Sequence, residues 1–341
     1  MPPTPHRFRF KAMGCPCSLQ LFAPSAREAR ALATLARGEI TRLEHKYSRY
    51  RDDSLASRIN ASAGDPAGVA IDAETEALLD HADTLHHESG GRFDPTSGVL
   101  RRAWNFRSGR LPEQGEIDAL LPRIGWTRLQ RAPRRLALPV AGMELDFGGF
   151  VKEYAADRAV ALLQRARCFA GLVDLGGDLA VAGPQPDGRP WTVGVRDVRQ
   201  PERAALRVEL FRGGIATSGD YERGISVDGV RYGHLLDPRN GWPIESLASA
   251  TVLAERCLIA GSASTLALLQ GEGAVAWLEA LGLPHVRQHR DGRIETRLDE
   301  GLSAPRRRSL RPRRRARPRR RAAPGAQPGR GSRRSAPARS R

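Results

Sequence analysis

The sequence is poor in cysteine and in long apolar runs, and each shortage excludes a class of protein. Its 341 residues include four Cys, too few for a disulfide framework in a chain of this length. No Cys or His cluster has the spacing of a zinc site. No apolar run reaches the roughly 18 residues that a membrane-spanning helix needs. Residues 1–11 lack the apolar segment of a signal peptide, and we therefore expect a cytoplasmic protein.

Acidic residues are missing from the end of the chain, and this absence determines the net charge of +17. Residues 303–341 contain 16 Arg and no Lys, Asp or Glu, which leaves 39 basic and 38 acidic residues in 1–302. The near-neutral body is not typical of a nucleic-acid-binding domain. The Arg, Pro, Ala, Gly and Ser of the tail predict disorder. Three interpretations of the tail stay open: binding to nucleic acid or an anionic membrane, an extension without function, or an out-of-frame gene end.

The pattern of apolar residues predicts many short strands with helices inserted between groups of them. Ser25 and Glu28 form a capping signal at the start of the first helix, and residues 6–22 alternate as a strand does. We predict an α+β fold of meandering antiparallel strands with inserted helices, in one domain over residues 1–302, rather than a doubly wound sheet. Helices are predicted over 25–47, 72–87, 149–164, 259–270 and 273–281.

Two Gly-Gly turns beside charged residues are candidate phosphate sites. Asp146-Phe147-Gly148-Gly149 precedes a predicted helix whose first turn carries Lys152. A helix N-terminus offers unpaired N–H groups to a phosphate, although a tight turn beside a solvated lysine fits the same residues. For Asp174-Leu175-Gly176-Gly177-Asp178, an ordinary β-turn is the simpler interpretation. Neither a GxGxxG nor a GxxxxGK[ST] motif is present, so a Rossmann or Walker site is not supported.

His234 is a candidate general base. A predicted strand leads to it, and a Pro-Arg-Asn-Gly turn follows it, so the imidazole would project from a strand end, where its near-neutral pKa suits proton transfer. A structural role fits these residues equally well. Ser218 lacks a GxSxG environment, which argues against a hydrolase triad.

Seven segments, in this order, resemble the FAD:protein FMN transferase (ApbE-like) family. The resemblance covers roughly residues 8–300, and the order of the motifs makes it specific although each motif alone is weak. The segments are Ala12-Met13-Gly14-Cys15, Tyr47 to Asn60, Ser89 to Thr96, Asp146 to Tyr154, Val173 to Asp178, Thr217-Ser218-Gly219-Asp220-Tyr221 and His234 to Pro243.

The resemblance implies a two-lobed fold that holds FAD in a cleft, and a phosphoryl-transfer reaction. A threonine hydroxyl of an acceptor protein attacks the FMN phosphorus of FAD, AMP leaves, and Mg²⁺ neutralises the diphosphate. His234 is implied as the base or as a group that orients the phosphate. The carbonyl of Gly149 and the hydroxyl of Thr265 are implied as metal ligands. The implied FAD-binding residues are Met13, Tyr50, Asn60, Asp94, Thr96, Asp146, Lys152 and Leu236.

One departure from the family pattern concerns the metal. The family usually has Ala-Asp-x-x-x-Thr in the late helix, with the Asp as the anionic ligand, whereas this chain has Gly261 at that position. Mg²⁺ is commonly held by one or two carboxylates, so the change predicts weaker metal binding, and Gly261→Asp would return the carboxylate. A non-catalytic FAD-binding protein and an FAD pyrophosphatase are therefore alternatives.

Smaller departures are Cys15, where the family often has Thr, and Glu153, where it often has Gly after the lysine. Family members are often exported or lipid-anchored, whereas no export signal is recognisable in this sequence.

Deletion of residues 303–341 is expected to leave FAD affinity unchanged, because the predicted FAD-binding motifs all precede residue 244. Calorimetric titration of FAD into the full-length and truncated proteins measures this directly. A clear loss of affinity on truncation would instead assign the arginine-rich tail a part in binding.

Overall fold

Short strands and helices alternate along the chain in a computed structural model that describes residues 4–106, 108–219 and 224–298. The strands are β1 (His6–Ala12), β2 (Cys15–Leu21), β3 (Val69–Ala70), β4 (Gln130–Ala132), β5 (Arg135–Ala137), β6 (Gly171–Leu175), β7 (Asp178–Gly183), β8 (Trp191–Arg196), β9 (Ala204–Leu210), β10 (Gly213–Gly219), β11 (Gly224–Val227), β12 (Val230–Gly233), β13 (Ser249–Ala254), β14 (His285–Gln288) and β15 (Ile294–Arg297). The helices are α1 (Ala26–Tyr47), α2 (Leu55–Ala61), α3 (Ala73–Glu88), α4 (Gln114–Asp118), α5 (Val151–Arg165), α6 (Cys257–Leu269) and α7 (Ala274–Leu281).

The centre of the fold is an eight-stranded sheet with the order β1-β2-β6-β7-β10-β13-β14-β15. Every neighbouring pair in it is antiparallel. The connections that skip strands carry insertions: the three-stranded sheet β3-β5-β4 and the two-stranded β8-β9 and β11-β12 lie outside the central sheet. Antiparallel strands with helices inserted between groups confirm the predicted α+β class.

The central sheet is covered on both faces. Helices α5 and α6 pack on β6, β7, β10 and β13, and α5 also packs on α1. Elsewhere β8 and β9 join Leu172, Val181, Ile215, Leu253 and Val286 of the sheet in a second apolar cluster. All six residues of β13 are buried, as expected for a strand with apolar cover on both sides, whereas β8 alternates between buried and exposed residues.

Several predicted elements are confirmed, and two need correction. Ser25 accepts the N–H of Glu28 and begins α1 as predicted. The single strand predicted over 6–22 is wrong, because β1 and β2 form a hairpin whose turn contains Met13 and Gly14 with φ of 49° and 72°. The strand predicted up to His234 is also a hairpin, β11–β12, around the positive-φ residue Asp228. Both turns depend on left-handed backbone at non-glycine residues, which an alternating pattern does not reveal.

The start of α6 is fixed by a carboxylate from α5. Asp157 accepts the N–H groups of Cys257 at 2.8 Å and Leu258 at 3.0 Å, and no side chain of the helix's own N-cap residue does so. Burial raises the pKa of Asp157, although these two hydrogen bonds oppose that rise. This contact sets how far α6 is shifted along α5 and therefore which residues of the two helices meet.

Part of what the sequence predicts lies outside the described residues. The tail 303–341 falls there, as do Asp220 and Tyr221 of the sixth motif. In the parts of the chain that the structure describes, no helix combines the length and apolarity that a bilayer crossing requires.

Replacement of Asp157 by Ala is expected to lower the free energy of unfolding by about 1–2 kcal/mol, because two N–H groups at the start of α6 lose their acceptor. Asp157→Asn retains one acceptor oxygen and should lose less. Chemical denaturation of the three proteins measures the differences. Equal stability of Asp157→Ala and the wild type would show that the cap does not hold α6 in place.

Candidate functional site

A partly buried ion pair lies where α5 begins beside β7. The ammonium of Lys152 lies 2.5 Å from Oδ2 of Asp178, whose side chain is 4% exposed. Burial disfavours the charged lysine, but the negative charges of Asp178 and Glu153 outweigh this and raise the pKa of Lys152. Burial likewise raises the pKa of Asp178, against the opposing charge of Lys152. The pair brings together two of the sequence motifs, the first turn of α5 and the end of the Gly176-Gly177 turn.

Glu153 is a second buried carboxylate at this place. The residue is 8% exposed, and its Oε2 has no hydrogen-bond partner. Burial, followed by the negative charge of Asp178, raises the pKa of Glu153 to about 8. Two acidic groups thus share the single positive charge of Lys152, and ionisation of both would be unfavourable in a protein interior.

Gly261 of α6 faces Glu153. A Cβ at position 261 would lie 2.5 Å from Cγ, 2.9 Å from Cδ and 2.8 Å from Oε1 of Glu153. Real Cβ atoms do not approach so closely, so the glycine makes room for the glutamate. The return of a carboxylate by Gly261→Asp alone, which the family pattern suggests, would therefore force two side chains into one space.

Hydroxyl groups from β10 and α6 line the neighbouring part of the site. Oγ of Ser218 lies 2.8 Å from Oγ1 of Thr265 and 2.8 Å from Oγ of Ser264. Ser264 also donates to the carbonyl of Gly261 at 2.9 Å, while Ser262 bonds to His81. The N–H of Thr217 is 3.3 Å from Oδ1 of Asp178, which connects β10 to the ion pair. The predicted metal ligand Thr265 is thus in a polar layer beside the carboxylates.

The turn before α5 leaves the N-terminal end of that helix exposed to solvent. Gly148 and Gly149 are exposed. The N-cap residue Phe150 makes no side-chain capping hydrogen bond. Asp146 accepts the N–H of Gly148 at 2.9 Å and forms an ion pair with Arg49. Because Asp146 takes the N–H of Gly148, and Phe147 takes those of Phe150 and Val151, the N–H of Gly149 is the backbone donor that this turn can offer to an anion.

Three further predicted residues hold or flank this region. Asn60 bonds both the N–H and the carbonyl of Leu145, the residue before Asp146. Met13 donates its N–H to Glu44 at 2.6 Å. The side chain of Tyr50 is mostly solvent-accessible, with the residue 78% exposed, and the guanidinium of Arg49 lies 5.1 Å from its ring centroid. Its accessible ring is suited to stack on a planar ligand.

Asp94 and Thr96 are turned into the protein. Oδ1 of Asp94 accepts both the N–H and the hydroxyl of Thr96, and Oδ2 accepts the N–H of Trp126 at 3.0 Å. Thr96 is completely buried and accepts the N–H of Gly125. In this structure the polar atoms of both residues support the loop around Gly125.

His234 follows β12 and is half-buried. Two residues further on, Leu236 forms an isolated bridge with Pro243 and packs against an apolar cluster around Trp104. The indole N–H of Trp104 donates to the carbonyl of Gly241 at 2.7 Å. The Leu236–Pro243 bridge closes the loop that carries both predicted residues, and the Trp104 hydrogen bond holds that loop against the apolar cluster.

Two residues of the site were not predicted to act there. Asp178 was named only as part of a turn, and Glu153 only as a departure from the family pattern. The sequence did contain a signal for Glu153. Relative to the family pattern, position 153 gains a carboxylate and position 261 loses one.

Comparison with known proteins places the chain in a family. Residues 13–286 match the ApbE family, and the chain belongs to that family. The relatives to which it is similar are transferases, each named FAD:protein FMN transferase. The protein of Treponema pallidum is 34% identical over 249 residues, 64% of this chain and 68% of its own length. That of Salmonella typhimurium is 30% identical over 275 residues, 76% of this chain and 77% of its own length.

Solved structures agree with this assignment. The ApbE protein of Thermotoga maritima is 30% identical, has a TM-score of 0.77, and matches over 86% of this chain and 96% of its own. The flavinyl transferase ApbE of Pseudomonas stutzeri is 30% identical with a TM-score of 0.76, over 88% and 96% of the two chains. The α+β architecture described above is thus the ApbE fold.

Replacement of Gly261 by Ala is expected to destabilise the protein by about 1–3 kcal/mol, because the new Cβ would overlap the buried Glu153 side chain. Gly38 of α1 is the matched control, since a Cβ there would meet nothing within 4 Å. Gly38→Ala should instead stabilise by about 0.5–1 kcal/mol through helix propensity. Denaturant unfolding of both variants provides the comparison, and stabilisation by both would refute the close packing at Gly261.

Proposed function

We propose that this protein transfers the FMN moiety of FAD to a threonine hydroxyl of an acceptor protein, with release of AMP and with Mg²⁺ bound. The observation that carries the proposal is the convergence of Lys152, the exposed N-terminal end of α5 and the buried carboxylates at one place in an ApbE fold. Membership of a family whose relatives are named FAD:protein FMN transferases supports the choice of substrate.

The FAD diphosphate is proposed to bind at the N-terminal end of α5. The backbone N–H of Gly149 would donate to a phosphate oxygen, and Lys152 would add a positive charge. The ring of Tyr50 would stack on one of the planar ring systems of FAD. Met13 and Leu236 would contribute apolar contacts, whereas Asn60, Asp94, Thr96 and Asp146 would hold the surrounding loops.

The residues present fit a magnesium ion, since they offer hard oxygen ligands. The Gly149 carbonyl and the Thr265 hydroxyl are the neutral donors proposed to hold it. The partnerless Oε2 of Glu153 is a carboxylate oxygen in the same region. When bound, Mg²⁺ would neutralise negative charge on the diphosphate and on the departing AMP.

The chemical step joins the threonine oxygen to the FMN phosphorus and breaks the bond from that phosphorus to the bridging oxygen, which leaves with AMP. His234 is proposed to accept the proton of the threonine hydroxyl or to orient the phosphate. His234 follows β12 in a loop that the hydrogen bond from Trp104 to Gly241 holds in place, and this would keep the imidazole in one position. Lys152 would stabilise the charge that the phosphate oxygens carry during transfer.

Two alternatives are separated by their products. A non-catalytic FAD-binding protein, favoured by the glycine at position 261, would release no AMP. An FAD pyrophosphatase would use water in place of threonine and yield free FMN together with AMP.

Purified protein incubated with FAD, millimolar Mg²⁺ and an ApbE-acceptor domain is expected to yield AMP and covalently bound flavin in equal amounts, because each transfer releases one AMP. Chromatography quantifies AMP, and intact-protein mass spectrometry quantifies the flavin. An acceptor with Thr→Val at its target position is the control and should stay unmodified. AMP accompanied only by free FMN, or FAD binding without AMP, would refute the transfer reaction.

A further inference from the structure

The side chain of Glu153 occupies the space into which a residue at position 261 would extend. Its Cγ, Cδ and Oε1 all lie within 3 Å of the Cβ position of residue 261. Asp157, one turn after Glu153, caps α6 at Cys257, one turn before Gly261. The helices therefore run antiparallel here, and the cap holds Glu153 opposite Gly261.

The same side chain is a buried acid for which the protein supplies no cationic partner of its own. Lys152 is paired with Asp178 at 2.5 Å, so one lysine faces two carboxylates, and Oε2 of Glu153 has no partner. Burial disfavours the ionised form of such a group unless a counter-ion binds, and a buried oxygen without a hydrogen-bond partner is rare. A cation at this place would supply both the missing charge and the missing contact.

We propose that Glu153 supplies, from α5, the metal-binding carboxylate that α6 lacks at Gly261. The inference rests on the proposed function, since the metal would be the one that accompanies FAD. The two proposed neutral ligands suit this arrangement, because Gly149 lies just before the helix that carries Glu153, and Thr265 lies one turn beyond Gly261. The carboxylate has thus moved from one helix to the facing one, while the ligand chemistry stays that of hard oxygen.

The competing explanation is that Glu153 only fills the volume beside Gly261. Glu153→Gln separates the two, since the amide keeps the volume and removes the charge. Glu39→Gln is the matched control, because Glu39 is also a largely covered carboxylate, 10% exposed, but it is paired with Arg42 and Arg158. The exchange variant Glu153→Gly with Gly261→Asp returns the carboxylate to α6 and removes the overlap.

The affinity for Mn²⁺, as a probe for Mg²⁺, is measured on FAD-loaded protein by electron paramagnetic resonance of the free ion. Glu153→Gln is expected to weaken Mn²⁺ binding by at least about tenfold, and Glu39→Gln by less than about twofold. The exchange variant should bind within a few-fold of wild type. Thermal unfolding of each protein establishes that it is folded.

Unchanged Mn²⁺ affinity in folded Glu153→Gln would overturn the inference, as would wild-type protein that binds FAD but no Mn²⁺. FAD binding is measured first, without metal, by quenching of flavin fluorescence. Failure of the wild type to bind FAD would contradict the proposed function itself. Loss of the Glu153 effect while FAD binding persists would contradict the metal assignment alone.

Discussion

The contact between α5 and α6 at Gly261 determines where the charged groups of the site lie. Asp157 fixes the relative shift of the two helices by capping α6, and the missing Cβ at position 261 leaves room for Glu153. Glu153 in turn lies beside Asp178 and Lys152, and β10 joins the cluster through Thr217. A larger residue at 261 would displace the buried acid and, with it, the charge balance of the site.

That charge balance gives a physical reason for FAD and the metal to bind together. In the proposed complex the diphosphate of FAD is negative and lies near the acid Glu153, while Lys152 is already paired with Asp178. An ionised Glu153 and the diphosphate would repel each other at short distance in a region of low dielectric constant. A divalent cation held as proposed would replace this repulsion by two attractions, so FAD and the metal are each expected to strengthen the binding of the other.

Local signals in the sequence predicted much of the fold. The Ser25 cap and the helix predicted over 72–87 depend on neighbouring residues alone, and the structure has both, the second as α3. The hairpin at Met13 was missed because its turn uses left-handed backbone at a methionine. The inward orientation of Asp94 and Thr96 was missed as well, since it depends on the distant loop at Gly125.

The family resemblance implied Lys152, Gly149 and Thr265 as residues of one site, but it did not give Glu153 a role. Glu153 and Gly261 are 108 positions apart in the sequence. Each residue departs from the family pattern, and the two departures can be related to each other only once the packing of α5 on α6 shows that the residues are in contact. Compensation between two such positions is a property of the tertiary structure, which propensities and motif spacing do not contain.

A crystal structure of the protein with FAD and Mn²⁺ tests this account most directly, because anomalous scattering locates the metal independently of the refined side chains. We expect a manganese peak at about 2 Å from a carboxylate oxygen of Glu153, with the FAD diphosphate at the N-terminal end of α5. Bound FAD with its manganese away from Glu153, or FAD located elsewhere on the protein, would contradict the account.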